Sequence, residues 1–309
     1  MLTNDGQALA FFNMQLTHIE AAIYKKQYPE KVWDKIIPID TSVDPLAKTV
    51  TYYVGDRTGE AKLGANLLAD DIPIVNVNRG KNEVPIIEGT VGYRYSIIEV
   101  MQARKLGINL AADEAMAARD AFEDTMETLA LSGFALSGMS GLLSFPGITT
   151  VAAPNGAAAS PLWANKTADE IVADINSLLS GVHSTSNTVE MADNILLPVD
   201  SHLLISYKRV TDTSMTILQY IEKANIYTAK TGRPLTITTL RQLGTAGGSG
   251  SKRMVAYKKD PDVLKMHLPM PLRFEAPQQR NFAFTVPGMW RTGGLNVRRP
   301  GAMRYMDGI

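Results

Sequence analysis

The sequence contains no cysteine, which removes disulfides, thiolate nucleophiles and cysteine-bound zinc together. Histidine is nearly as scarce. His18, His183, His202 and His267 are the whole supply, and none has a second histidine or a suitably spaced carboxylate on the same helix face, so no zincin-type metal site is expected. No apolar run approaches the roughly 20 residues that cross a bilayer. The opening Met1-Leu2-Thr3-Asn4-Asp5 lacks the basic stretch of a secretory signal, and neither membrane insertion nor standard secretion is expected. Charge of one sign is missing too: 31 Lys and Arg balance 31 Asp and Glu. No global field therefore draws the chain to nucleic acid or anionic lipid, and any such affinity must be local. What is present is a 309-residue chain, 45% hydrophobic and 20% charged, able to bury a sizeable core as two bodies or as one with long insertions.

Phe12, Leu16, Ile19 and Ile23 fall at spacings of four, three and four, one stripe of a helix that Pro29 would end. The β-branched and aromatic run Lys48 to Val54 predicts a strand. Between Gly55 and Gly89, turn residues and the apolar positions Ile72, Ile74, Val75 and Val77 carry no helical period, which predicts a long β-rich excursion. Val91, Tyr93, Tyr95 and Ile97 alternate, predicting a strand over Thr90 to Val100. The clearest helix follows, from a capping Asn109 to Gly133, whose glycine suits the left-handed conformation past a helix end. Ala115, Ala118, Phe122, Met126 and Leu129 form its apolar stripe, while six carboxylates, Glu123 and Glu127 among them, face one Arg119. Gly138 to Ala159, rich in small residues, marks a boundary. Thr167-Ala-Asp-Glu170 fits a capping box opening a helix on Ile171, Ile175, Leu178 and Leu179. Strands over Asn194–Val199, Pro234–Leu240 and Arg253–Lys258 and helices over Ser201–Val210 and Thr216–Ala224 complete a second body of α+β character.

Chemistry is thinly represented. The loop Gly244 to Lys252 resembles a phosphate cradle, but Ser251 separates the last glycine from the lysine, Arg253 follows, and a strand rather than a helix comes next; a flexible loop is expected. No Gly-x-Ser-x-Gly nucleophile elbow occurs, and the adjacent acids Asp70-Asp71 and Glu123-Asp124 read as solvated faces. No catalytic residue and no cofactor is assigned. The stretch from Leu268 to Ile309 carries six arginines against Glu275 and Asp307. Arg291, Arg298, Arg299 and Arg304, interleaved with Trp290 and Tyr305, can contact nucleic-acid phosphates or pair with the acidic helix, and the ion-pairing reading is preferred.

An amino-terminal arm, a β-rich excursion, a long solitary helix, an inserted α+β body and a return to strands, in that order, resemble the major capsid protein of tailed phages, the Hong Kong ninety-seven type. Asp56-Arg-Thr-Gly-Glu-Ala61, Asp71-Ile-Pro73, Gly92-Tyr-Arg-Tyr95, Gly141-Leu-Leu-Ser-Phe-Pro-Gly147, Asn194-Ile-Leu-Leu-Pro198 and Gly293-Gly-Leu-Asn-Val-Arg-Arg-Pro300 are similar to one phage and prophage branch of that family. The resemblance implies an N-arm (1–47), an E-loop (48–90), a peripheral domain (91–160) with a spine helix at 109–133, an axial domain (161–264) and return strands (265–309). It implies a non-enzymatic subunit that self-assembles through hexamers and pentamers into an icosahedral shell around double-stranded DNA, located in the virion and, during assembly, in the host cytoplasm. Portal, scaffold or decoration proteins would be partners, DNA contact would be weak and non-specific, and no membrane would be involved. On this reading Ile72, Ile74, Val75, Ile86 and Ile87 on the excursion are apolar positions for a neighbouring subunit to cover. A bacterial nanocompartment shell of the same fold is the alternative, and a nucleotide-dependent enzyme built on the Gly244–Lys252 loop a remote one.

Overall fold

In the computed structural model, residues 29–60, 74–106 and 110–309 are described; the helix expected around Phe12 to Ile23, and Ile72 on the excursion, lie outside them. Contacts divide the chain into the units Met1–Lys31 and Val32–Ile309, and the second is the subject below.

Sixteen strands occur among the described residues: β1 (Ile39–Asp40), β2 (Thr49–Thr58), β3 (Asn76–Pro85), β4 (Ile87–Ser96), β5 (Gly133–Phe134), β6 (Met139–Ser140), β7 (Thr149–Ala152), β8 (Asn194–Leu197), β9 (Thr236–Thr239), β10 (Arg253–Tyr257), β11 (Leu264–His267), β12 (Met270–Phe274), β13 (Gln278–Arg280), β14 (Ala283–Thr292), β15 (Gly294–Val297) and β16 (Met303–Asp307). The organising element is a five-stranded sheet in the order β7-β16-β10-β8-β9. Its inner strands β10 and β8 are buried on both faces, because successive side chains alternate between two separate cores. Val255 and Tyr257 of β10, Leu196 of β8 and Met303 and Tyr305 of β16 enter one core. Met254, Ala256, Ile195, Leu197 and Met306 enter the other.

The first core is closed by the long helix Leu110–Leu131, whose Phe122, Met126 and Leu129 lie inside it. Gly133, at φ +82°, turns the chain away, and a Cβ there would meet the Met139 carbonyl oxygen at 2.3 Å. Beside the helix stands a sheet built on β14, which pairs with β4 along one edge and with β12 and β13 in succession along the other. The second core is closed by the helix Ala168–Thr185, opened by the expected capping box between Thr167 and Glu170. Shorter helices Val199–Tyr207, Ile217–Lys223 and Ile226–Thr231 pack around it.

Three expectations need correction. The strand predicted over Thr90–Val100 ends at Ser96, and Ile97–Leu106 is a helix. Ser96 and Glu99 form reciprocal bonds, Ser96 N–H to Glu99 Oε2 at 2.7 Å and Glu99 N–H to Ser96 Oγ at 3.2 Å, so a capping box overrides the local β propensity. The segment from Val32 to Ile37, expected within a detached arm, has Trp33, Ile36 and Ile37 in the first core. The carboxy-terminal strand β16, and β7 with it, expected with the first body, belong to the shared five-stranded sheet.

Candidate assembly surfaces

β2 and β3 form an antiparallel hairpin of ten facing pairs, from Thr49↔Pro85 to Thr58↔Asn76, about 33 Å long at 3.3 Å per residue. Eight successive residues of β3, Asn76–Glu83, are exposed. Facing pairs share a side, so Tyr53 stands with Lys81 and with the row Val77, Arg79 and Glu83. Tyr53 is 69% exposed, Val77 59% and Ile74 80%, which leaves a mixed apolar and basic surface in water. Lys81 pairs with Glu83, both half-exposed.

The base of the hairpin is fastened. Ile86 N–H donates to the Lys48 carbonyl at 2.9 Å, the Arg298 guanidinium sits 5.1 Å from the centre of the Tyr52 ring, and Arg291 donates to the Pro45 carbonyl. Ile86 is therefore buried and Ile87 half-buried against the first core. Of the five isoleucines and valines expected on the excursion, only Ile74 and Val75 are found exposed. The other two described positions are pulled into their own subunit because the chain leaves the hairpin there to become β4.

Glu123 and Glu127 of the acidic helix bond, within the subunit, to groups outside the basic carboxy-terminal stretch. Glu123 accepts the Trp33 indole N–H at 2.9 Å, while Glu127 accepts from Gln242 Nε2 at 2.9 Å and from the Val32 backbone at 3.3 Å. The arginines find other acids. Arg299 pairs with Glu190 at 2.6 Å and Arg291 with Glu88 at 3.4 Å; Arg304 reaches Thr185 Oγ1 at 3.3 Å. Lys258 and Arg299 hold the Glu190 carboxyl below its ordinary value. Trp290 and Tyr305, the aromatics of the less favoured nucleic-acid reading, are buried.

A groove of about 440 Å³ runs between the long helix and the β4–β14 pair, lined by Ile87, Leu129, Phe134 and Trp290 with Glu88 and Asp124 at its rim. Gly89 shapes it: a Cβ would lie 2.1 Å from the Trp290 ring, which packs edge-on against Phe122 at 5.1 Å.

The glycine-rich loop is filled by a carboxylate of its own chain. Gly248 N–H donates to Asp307 Oδ2 at 3.0 Å, and Arg253 grips both oxygens of the same carboxylate at 2.6 and 2.8 Å. Burial raises the Asp307 pKa, but the Arg253 and Gly248 bonds outweigh it and hold the group ionised. A phosphate would meet a fixed negative charge, so the nucleotide reading fails. His267 is buried, with Nδ1 3.3 Å from Asp40 Oδ2 but not aligned for a hydrogen bond, and desolvation lowers its pKa. Among the described residues no cluster of three or more metal-ligating side chains occurs, and no helix is long and apolar enough to cross a membrane.

A bare hairpin on a two-core body with a long helix is the architecture of the Hong Kong ninety-seven-type fold. The chain matches the major capsid protein family over residues 59–309 and belongs to it. It is a structural protein of a capsid shell, and neither an enzyme nor a nanocompartment is favoured. Its fold is similar to the capsid of Myoviridae phage XM1, at 19% identity and a TM-score of 0.80 over 96% of this chain and 98% of that one. It also resembles the capsid of a native GTA particle (11%, 0.64, 97% and 98%) and a structure from Gordonia phage Cozz (15%, 0.58, 96% and 93%). No curated protein matches it in sequence.

Proposed function

We propose that the chain forms hexamers and pentamers of an icosahedral shell around double-stranded DNA, with the β2–β3 hairpin as its E-loop laid on a neighbouring subunit. In this reading the first core belongs to the peripheral domain, with Leu110–Leu131 as its spine, and the second to the axial domain. The observation that carries it is the hairpin, exposed on β3 for eight residues in succession. Two strands alone are marginal in water, so the surface of Tyr53, Val77, Arg79 and Lys81 needs a cover. The groove beside the long helix of the next copy offers one, with apolar walls of Ile87, Leu129, Phe134 and Trp290. A contact of unlike patches repeats head to tail and closes into rings. Scaffold, portal or decoration proteins would join such a shell, assembly would occur in the host cytoplasm, and Arg298, Arg299 and Arg304 would give DNA at most weak phosphate contacts. Negative-stain imaging and sedimentation of the purified chain test this: capsomers or closed particles are expected, and a 33.7 kDa monomer across concentration, salt and crowding contradicts it.

A further inference from the structure

The helix Val199–Tyr207 turns Ser201 and Ile205 into the second core. Its other side carries Val199, Leu203 and Tyr207 at four-residue spacing, 42%, 58% and 72% exposed. Residues four apart stand one above another on a helix, so these form a continuous apolar stripe about 12 Å long at 1.5 Å per residue. A nine-residue helix whose outward row is branched and aromatic is unusual where water is the only neighbour. Asp200 stands at the start of the stripe with its side chain 75% exposed, 3.2 Å from Lys252.

The same body presents an open groove of about 550 Å³ between Asn176 of the helix Ala168–Thr185 and the turn joining the helices that end at Lys223 and start at Ile226. Ala224, Ile226 and Ala229 line it, all exposed, together with the exposed Lys223. Small residues leave room for larger side chains, and the Asn176 and Asn225 groups beside them already bond to the chain's own backbone, through Ile226 N–H at 3.3 Å and Thr228 N–H at 2.7 Å. The groove therefore takes an apolar row with an acid at one end, which is what the stripe supplies.

We propose that the Val199–Leu203–Tyr207 stripe of one subunit docks in the Ala224–Ile226–Ala229 groove of a second copy of this chain, with Asp200 facing the partner's Lys223. This rests on the shell reading and adds a second head-to-tail contact, between the α+β bodies, to the one made by the hairpin. Unlike patches of one chain meeting in this way generate rings rather than isolated pairs.

Because the chain has no cysteine, cross-linking reads the contact without background. Leu203→Cys combined with Ala229→Cys, and Leu203→Cys combined with Ala224→Cys, are assembled, oxidised and run without reductant. At least one pair should give a ladder extending beyond dimer that collapses to a single band with reductant, and Leu203→Cys alone should give no ladder. Normal particles with no ladder from either pair, or a dimer from Leu203→Cys alone, overturn the proposal while the shell reading stands. Lys223→Glu and, separately, Leu203→Asp should lower particle yield at least tenfold with an unchanged melting curve, and Asp200→Lys should restore the first. Unchanged yield in both also overturns it. Failure of the unaltered chain to assemble at all overturns the shell reading itself.

Discussion

The strand β10 and the strand β3 sit at opposite extremes of one chain. All five residues of Arg253–Tyr257 are buried, with alternate side chains in two cores, whereas β3 is exposed for eight residues in a row. β10 is paired on both edges, with β16 and with β8, whereas β3 is paired with β2 alone, so pairing and burial both separate them. Apolar area removed from water contributes about 25 cal/mol per Å², and β10 gains it from its own subunit while β3, in the function proposed above, gains it from another. Folding and assembly are thus carried by different residues.

The sharpest way to break the folding side is at Asp174. It is buried with Lys166 at 2.5 Å and accepts the Trp163 indole N–H at 3.0 Å. Asp174→Ala leaves a buried ammonium without its partner and should cost about 3–5 kcal/mol, measured by denaturant unfolding. Gly89→Val forces the Trp290 ring aside and should cost up to about 3 kcal/mol, with a shift in tryptophan fluorescence. Glu127→Lys should destabilise the body by about 1.5 kcal/mol, because the carboxylate accepts bonds from Gln242 and Val32.

Acid sharpens the same contrast. Glu190 is lowered from 4.5 by Lys258 and Arg299, so its contribution is present above about pH 4.5 and is lost as pH falls through the lowered value. Melting curves should therefore drop on acidification over that window, and Glu190→Gln should show a flatter slope there. The smallest effect on folding is expected on the hairpin. Val77→Asp should change stability by less than about 0.5 kcal/mol and still abolish particles in negative stain.

What the sequence discloses is local. The stripe of Phe122, Met126 and Leu129, the capping box at Thr167 and Glu170 and the β-branched run ending in Tyr52-Tyr53-Val54 are patterns within a few residues, and each forms the expected element. The box at Ser96 and Glu99 was equally local and would have revealed the helix after β4. Partnerships across the chain were not legible: Arg299 finds Glu190 across 109 positions and Arg253 finds Asp307 across 54, and net charge does not say which acid an arginine meets. Nor does alternation in Met254-Val-Ala-Tyr257 announce two cores, since every residue is apolar and the period of two has no polar side to mark it.

The division between folding and assembly is tested most directly by replacing residues 56–84 with a short Gly/Ser linker and following melting and particle formation on the same sample. Circular dichroism and a melting temperature close to the parent, with no particles, are predicted; particles of normal shape, or loss of the cooperative melt, would contradict it.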